Sequence, residues 1–82
     1  MKQVSIYSTP ACGYCEIVKN FFQKNKIEYT DYNIMADKER RDEMIKKTGQ
    51  MGLPVIIIDK DSKNEEIIIG FDKKHLSYLL GL

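Results

Sequence analysis

Two cysteines, the only two in the chain, stand together as Cys12-Gly13-Tyr14-Cys15. They fall where an apolar-polar strand pattern, Lys2 to Tyr7, gives way to a helical one, Glu16 to Lys24. A C-x-x-C pair at the end of a first strand and the start of a first helix has the sequence form of a dithiol redox site. The spacing has a physical reason. With Cys12 at or just before the first helical residue, its sulfur faces the unsatisfied N–H groups of the first turn. The positive end of the helix dipole then favours thiolate over thiol. Cys15 falls one turn deeper on the same side, close enough to attack a mixed disulfide formed at Cys12. The expected roles follow: Cys12 attacks and Cys15 resolves.

Other uses of two thiols are a static disulfide staple, half of a zinc site, or buried groups that never react. A staple across two residues would constrain the unfolded chain little. A zinc site wants four ligands, and the other good candidate, His75, is alone and far away in sequence. No metal ligand is therefore assigned, and His75 is expected on the solvent side of a last helix.

The chain has 82 residues, a length expected to form one domain spanning residues 1–82. With 43% hydrophobic and 30% charged residues it reads as an ordinary globular chain. A formal net charge of +1 provides no general field for gathering nucleic acid. The N-terminal residues lack the apolar stretch of a signal peptide, and no run approaches the length needed to span a bilayer. A cytoplasmic location is expected, where structural disulfides are rare and a C-x-x-C pair is suited to cycling.

The elements that must position the cysteines follow in order. Val4, Ile6 and Tyr7 belong to a first strand. Thr9-Pro10-Ala11 makes a short loop into the motif. Ile17/Phe21 and Val18/Phe22 recur at i and i+4 and predict one buried helical face. Ile27 to Ile34 reads as a second strand, which with an intervening helix implies parallel pairing. Asp37 is placed to cap a helix ending near Gly49, with Met44 and Ile45 as its buried side and Asp42/Lys46 and Glu43/Lys47 as surface ion pairs. Pro54 leads Val55 to Ile58, a run apolar on both faces as in a central strand. Asp59 to Asn64 is a hairpin loop and Glu65 to Ile69 its return strand. Asp72 then caps a last helix whose buried positions are Leu76, Leu79 and Leu80. The expected fold is α/β, in the order β-α-β-α-β-β-α, with a mixed four-stranded sheet flanked by helices.

This chain resembles the thioredoxin superfamily and, within it, the glutaredoxins and glutaredoxin-like proteins. The resemblance covers essentially the whole chain. It rests on Cys12-Gly13-Tyr14-Cys15 after the first strand, Leu53-Pro54 opening the third, Gly70-Phe71-Asp72 before the last helix, and the short length. It implies a dithiol thiol-disulfide oxidoreductase serving electron transport, reducing protein or glutathione mixed disulfides. Catalytic roles fall to Cys12 and Cys15, and substrate or glutathione contacts to Tyr14, Leu53, Pro54, Gly70, Phe71 and Asp72. It further implies a cis Leu53-Pro54 bond facing the cysteines, which would leave the Leu53 backbone free to pair with an extended thiol-containing peptide. Gly70 would allow close backbone approach, and Asp72 could accept a bond from the ammonium of a γ-glutamyl group while capping its helix.

Two departures bear on the reductant. Many glutaredoxins carry lysine where this chain has Thr9, and a second glycine where it has Phe71. Gly-Phe in that turn is closer to the glutaredoxin-like hydrogen donors of ribonucleotide reductase, which thioredoxin reductase reduces. The expected partners are disulfide-containing proteins and either glutathione or a thioredoxin-reductase-type reductant. No nucleic acid, membrane or tightly bound cofactor is expected, glutathione serves as a possible co-substrate, and the expected state is a monomer. Gly13 also resembles glutaredoxins that hold an iron-sulfur cluster between two monomers. A dimeric cluster or metal carrier, or a non-enzymatic thiol-binding module, are thus the alternatives.

Overall fold

The computed structural model describes residues 2–82. Its elements are β1 (Val4–Ser8), α1 (Gly13–Lys24), β2 (Thr30–Asn33), α2 (Lys38–Thr48), β3 (Val55–Ile58), β4 (Glu66–Ile69) and α3 (Lys73–Leu80). The strands form a four-stranded sheet in the order β2-β1-β3-β4. β1 runs parallel to β2 and antiparallel to β3, and β3 runs antiparallel to β4. This is the mixed α/β sheet the residue pattern predicts, with β1 and β3 at its centre.

Side chains alternate across a strand, so the sheet sorts its residues into two cores. Val4, Ile6, Ile56, Ile58 and Ile68 point to one face, where Cys15, Val18 and Phe22 of α1 and Leu76 of α3 cover them. Tyr7, Val55 and Ile57 point to the other, against Met44 of α2 and Ile34. All four residues of β3 are fully buried, which is why its sequence shows no polar alternation.

Three expectations change in detail. The buried positions of α1 are Cys15, Val18 and Phe22, whereas Ile17 is exposed and Phe21 half-buried. One helix face can press on the sheet, and Ile17 lies a third of a turn away from the stripe through Val18 and Phe22. The second strand is shorter than 27–34: Ile27 N–H is still tied to Phe22 O at the helix end, at 2.8 Å, and ladder pairing starts with Ser5 opposite Thr30. The pairs Asp42/Lys46 and Glu43/Lys47 do not form. Asp42 meets Lys38, Lys47 reaches Asp61 and Glu65 in the β3–β4 loop region, and Glu43 turns toward the sheet.

Glu43 turns because Tyr7 is fully buried and its hydroxyl needs an acceptor. The Tyr7 hydroxyl donates to Glu43 Oε1, Arg40 Nη1 lies 3.1 Å from Glu43 Oε2, and Lys60 Nζ lies 3.3 Å from Oε1. Arg40 also stacks on the Tyr32 ring at 4.8 Å. Burial raises the Tyr7 phenol far above its ordinary value, and the Glu43 bond and charge add to that. At Glu43 burial acts upward, but the bonds from Tyr7, Lys60 and Arg40 and the charge of Lys60 outweigh it and hold the carboxyl below the usual range. A carboxyl lowered in the folded state adds stability above its unfolded value, near 4.3, and loses it as pH falls through the lowered folded value. Glu43→Gln should therefore cost about 1–3 kcal/mol at pH 7 and flatten the acid limb of the stability curve. Denaturant unfolding across pH 2–7 reads both; an acid limb as steep as the parent's would refute the assignment.

Candidate functional site

β1 delivers the chain to the site. After Ser8, Thr9-Pro10-Ala11 turns tightly enough for Cys12 N–H to donate to Thr9 O at 3.2 Å. Cys12 is the N-cap of α1, with extended backbone (φ −92°, ψ 105°), and its Sγ accepts the Cys15 N–H at 3.1 Å. A cap is normally oxygen from Ser, Thr, Asp or Asn, and here sulfur takes that place. Cys12 and Cys15 are joined as a disulfide with their Cα atoms 5.2 Å apart. Cys15 is fully buried and Cys12 half-buried, so an outside thiol reaches Cys12 first.

The Leu53-Pro54 bond is cis, as the family pattern implies. Pro54 is buried and Leu53 half-buried. Leu53 donates and accepts no hydrogen bond among the described residues. Pro54 O accepts the Gly70 N–H at 2.8 Å, which ties this loop to the Gly70-Phe71-Asp72 turn. Gly70 has φ +84°, a left-handed conformation that favours glycine. Cys12, Leu53 and Phe71 all pack against the core cluster that contains Cys15.

The remaining predicted residues divide. Tyr14 is 66% exposed, one residue before Cys15, and no core claims it. Phe71 is half-buried and meets Phe21 edge-on at 5.7 Å, so its ring also serves packing. Asp72 is exposed and caps α3, its Oδ1 accepting the His75 N–H at 3.1 Å. His75 is exposed on α3. Among the described residues no group of three or more His, Cys, Asp or Glu side chains converges to hold a metal ion. A broad open groove at the far end of the sheet, lined among others by Lys2, Lys26, Tyr29 and Tyr78, includes none of the predicted site residues.

The sequence reading passes over a polar cluster on the sheet face that carries the cysteines. Ser8, the last residue of β1 and buried, donates from Oγ to Asp31 Oδ1 at 2.6 Å. Lys19 Nζ lies 2.7 Å from Asp31 Oδ2. The available signal was Lys19 itself, a charge four residues after Cys15 and beside Val18, on the face that the helical period assigns to the core.

Comparison with known proteins places this arrangement. Residues 4–62 match the family model described as Glutaredoxin. A glutaredoxin-like 8.6 kDa protein from the rubredoxin operon of Clostridium pasteurianum, itself uncharacterized, is 36% identical over 94% of this chain and 96% of that relative. Glutaredoxin 3 of Escherichia coli K12 is 32% identical over 72% of this chain and 71% of its own length. Among solved structures, a mutant of the thioredoxin-like protein BC3987 superposes with a TM-score of 0.85 at 28% identity, covering 99% of this chain and 97% of the other.

The unequal exposure of the cysteines makes a direct prediction for the reduced protein. Iodoacetamide should modify Cys12 at least about tenfold faster than Cys15, as peptide mass mapping of a time course would show. Equal labelling would contradict the site geometry.

Proposed function

As the chain belongs to the glutaredoxin family, we propose that it is a dithiol thiol-disulfide oxidoreductase in which Cys12 attacks and Cys15 resolves. The observation that carries this reading is the pairing of a half-exposed Cys12 sulfur, hydrogen-bonded at a helix N-terminus, with a buried Cys15 directly behind it. The α1 dipole and the Cys15 N–H favour negative charge on Cys12. The Cys12 thiolate attacks one sulfur of a substrate disulfide, and the other sulfur leaves as thiolate and takes up a proton. Cys15 then loses its proton, its thiolate bonds to Cys12, and the second substrate sulfur leaves. Two electrons pass to the substrate, and the Cys12–Cys15 disulfide awaits a reductant.

Substrate is held on three sides of Cys12. The free N–H and C=O of Leu53 support pairing with an extended segment that carries the disulfide, and buried Pro54 fixes their direction. Tyr14 offers an exposed ring beside the sulfur. Gly70, Phe71 and Asp72 line the third side, with Phe71 as an apolar wall and Asp72 as an acceptor for an ammonium group. Disulfide-containing proteins are the substrates, and the reaction needs no resident cofactor and no second copy of the chain. Among the described residues no helix is long and apolar enough to cross a membrane. The proposed location is the cytoplasm, where a C-x-x-C pair is suited to cycling.

Two residues bear on the reductant. Thr9 supplies no cation for a glutathione carboxylate, and Phe71 stands where many glutaredoxins have a second glycine. Both features favour a thioredoxin-reductase-type protein over glutathione, which remains a co-substrate through mixed disulfides. In a coupled assay thioredoxin reductase should reset the protein faster than glutathione with glutathione reductase, and the reverse order would assign glutathione. Cys12→Ser should lose at least ~100-fold in disulfide reduction, whereas Cys15→Ser should keep a one-thiol exchange with glutathione mixed disulfides. Full activity in Cys12→Ser would overturn the nucleophile.

A further inference from the structure

Lys19 stands on the face of α1 that otherwise buries Cys15, Val18 and Phe22, and its side chain is only 15% exposed. It is four residues from Cys15, a spacing that brings side chains to about 5–6 Å between Cβ atoms. Helical side chains lean toward the N-terminus, so Lys19 leans over the turn that holds Cys15. Its ammonium meets Asp31 of β2, and Asp31 is fixed in turn by the buried Ser8 hydroxyl. The Asp31 side chain is itself 37% exposed, and an ion pair open to solvent on one side adds little net stability. Its field, however, acts on whatever charge forms beside it.

We propose that Lys19 is a positioning residue for the resolving step: its ammonium, anchored by Asp31 and Ser8, stabilises the Cys15 thiolate from one helical turn below. This rests on the reading that the cysteine pair cycles. In that step the Cys15 thiol gives its proton to solvent, and the thiolate electron pair forms the bond to Cys12 sulfur. The Cys12–substrate bond breaks, and the substrate sulfur leaves with its electron pair and takes up a proton. Negative charge thus appears on a buried sulfur, where a fixed cation has most effect.

The other charges around Lys19 are accounted for. Burial acts to lower the Lys19 ammonium, but the bond and charge of Asp31 outweigh it, with smaller help from Glu16 and Tyr29, so it stays charged. Glu16 lies 3.8 Å away and is largely in solvent. Asp31 is therefore the main opposing charge, and it moderates the cation that it anchors. Removing either partner changes the field at Cys15 in opposite senses. A purely structural bridge would behave differently, since losing either half would simply loosen the fold.

The experiment equilibrates the Cys12–Cys15 pair with mixtures of reduced and oxidised glutathione, and separately times glutathione release from a preformed Cys12–glutathione mixed disulfide. Lys19→Gln and Lys19→Met should shift the equilibrium about threefold to tenfold toward the disulfide and slow release. Asp31→Asn should shift it by a similar factor toward the dithiol and speed release, while Lys19→Arg stays within about twofold of the parent. Circular dichroism checks that each variant is folded. Shifts in the same direction for Lys19→Gln and Asp31→Asn, or none beyond about twofold, overturn this inference alone. A parent protein whose cysteines do not exchange with glutathione at all overturns the functional reading and this inference with it.

Discussion

The contact on which the site depends is the hydrogen bond from Cys15 N–H to Cys12 Sγ at the start of α1. Elsewhere this chain caps its helices with carboxylates: Asp37 accepts from Arg40 N–H at the start of α2, and Asp72 from His75 N–H at the start of α3. At α1 the same position is given to a sulfur. The stabilisation that an N-terminus offers to negative charge thereby falls on an atom able to form and break a covalent bond. The cap also sets the depth of Cys15, because the residue whose N–H it receives is the second cysteine.

Everything else holds that helix start in place. The sheet centre, β1 and β3, is buried on both faces, and β1 ends four residues before Cys12. Cys15, Val18 and Phe22 seat α1 on Val4, Ile6, Ile56 and Ile58, so the cap cannot shift without disturbing the larger core. The Gly70 N–H to Pro54 O bond closes the opposite wall by joining two loops that lie far apart in sequence. The core under α1 and the bond between these loops thus hold the residues around the cysteine turn in place.

The two sheet faces treat charge differently. Under α2, Glu43 gathers Tyr7, Arg40 and Lys60 into a fully paired cluster that satisfies a buried phenol. On the cysteine face the paired charges are Lys19 and Asp31, held by Ser8. No buried side-chain nitrogen or oxygen among the described residues lacks a hydrogen-bond partner. In a small core that condition matters, since each unsatisfied group would cost about 1–3 kcal/mol. The Glu43 cluster also explains why Glu43 does not pair with Lys47: it is drawn to its tertiary partners Tyr7 and Lys60, while on the exposed side of α2 the i,i+4 pair Lys38/Asp42 forms.

Local chemistry made much of this protein legible from its residues alone. The cysteine spacing, the caps at Asp37 and Asp72, the stop at Gly49 and the unbroken apolar run of β3 are each decided within a few residues, by hydrogen bonds and periodicities that do not need the rest of the chain. Their order, with the Leu53-Pro54 and Gly70-Phe71-Asp72 signatures, was enough for the fold. What tertiary structure decided is which groups meet across elements. Glu43 pairs with Tyr7, thirty-six residues away, instead of with Lys47. Ile17 is exposed because α1 can turn only one stripe to the sheet, and β2 is short because strand length depends on what its neighbour leaves to pair. Lys19 looks from its neighbours in sequence like a misplaced surface charge. Only the parallel pairing of β1 and β2 brings Ser8 and Asp31 to it, because such contacts arise from chain crossing and not from local period.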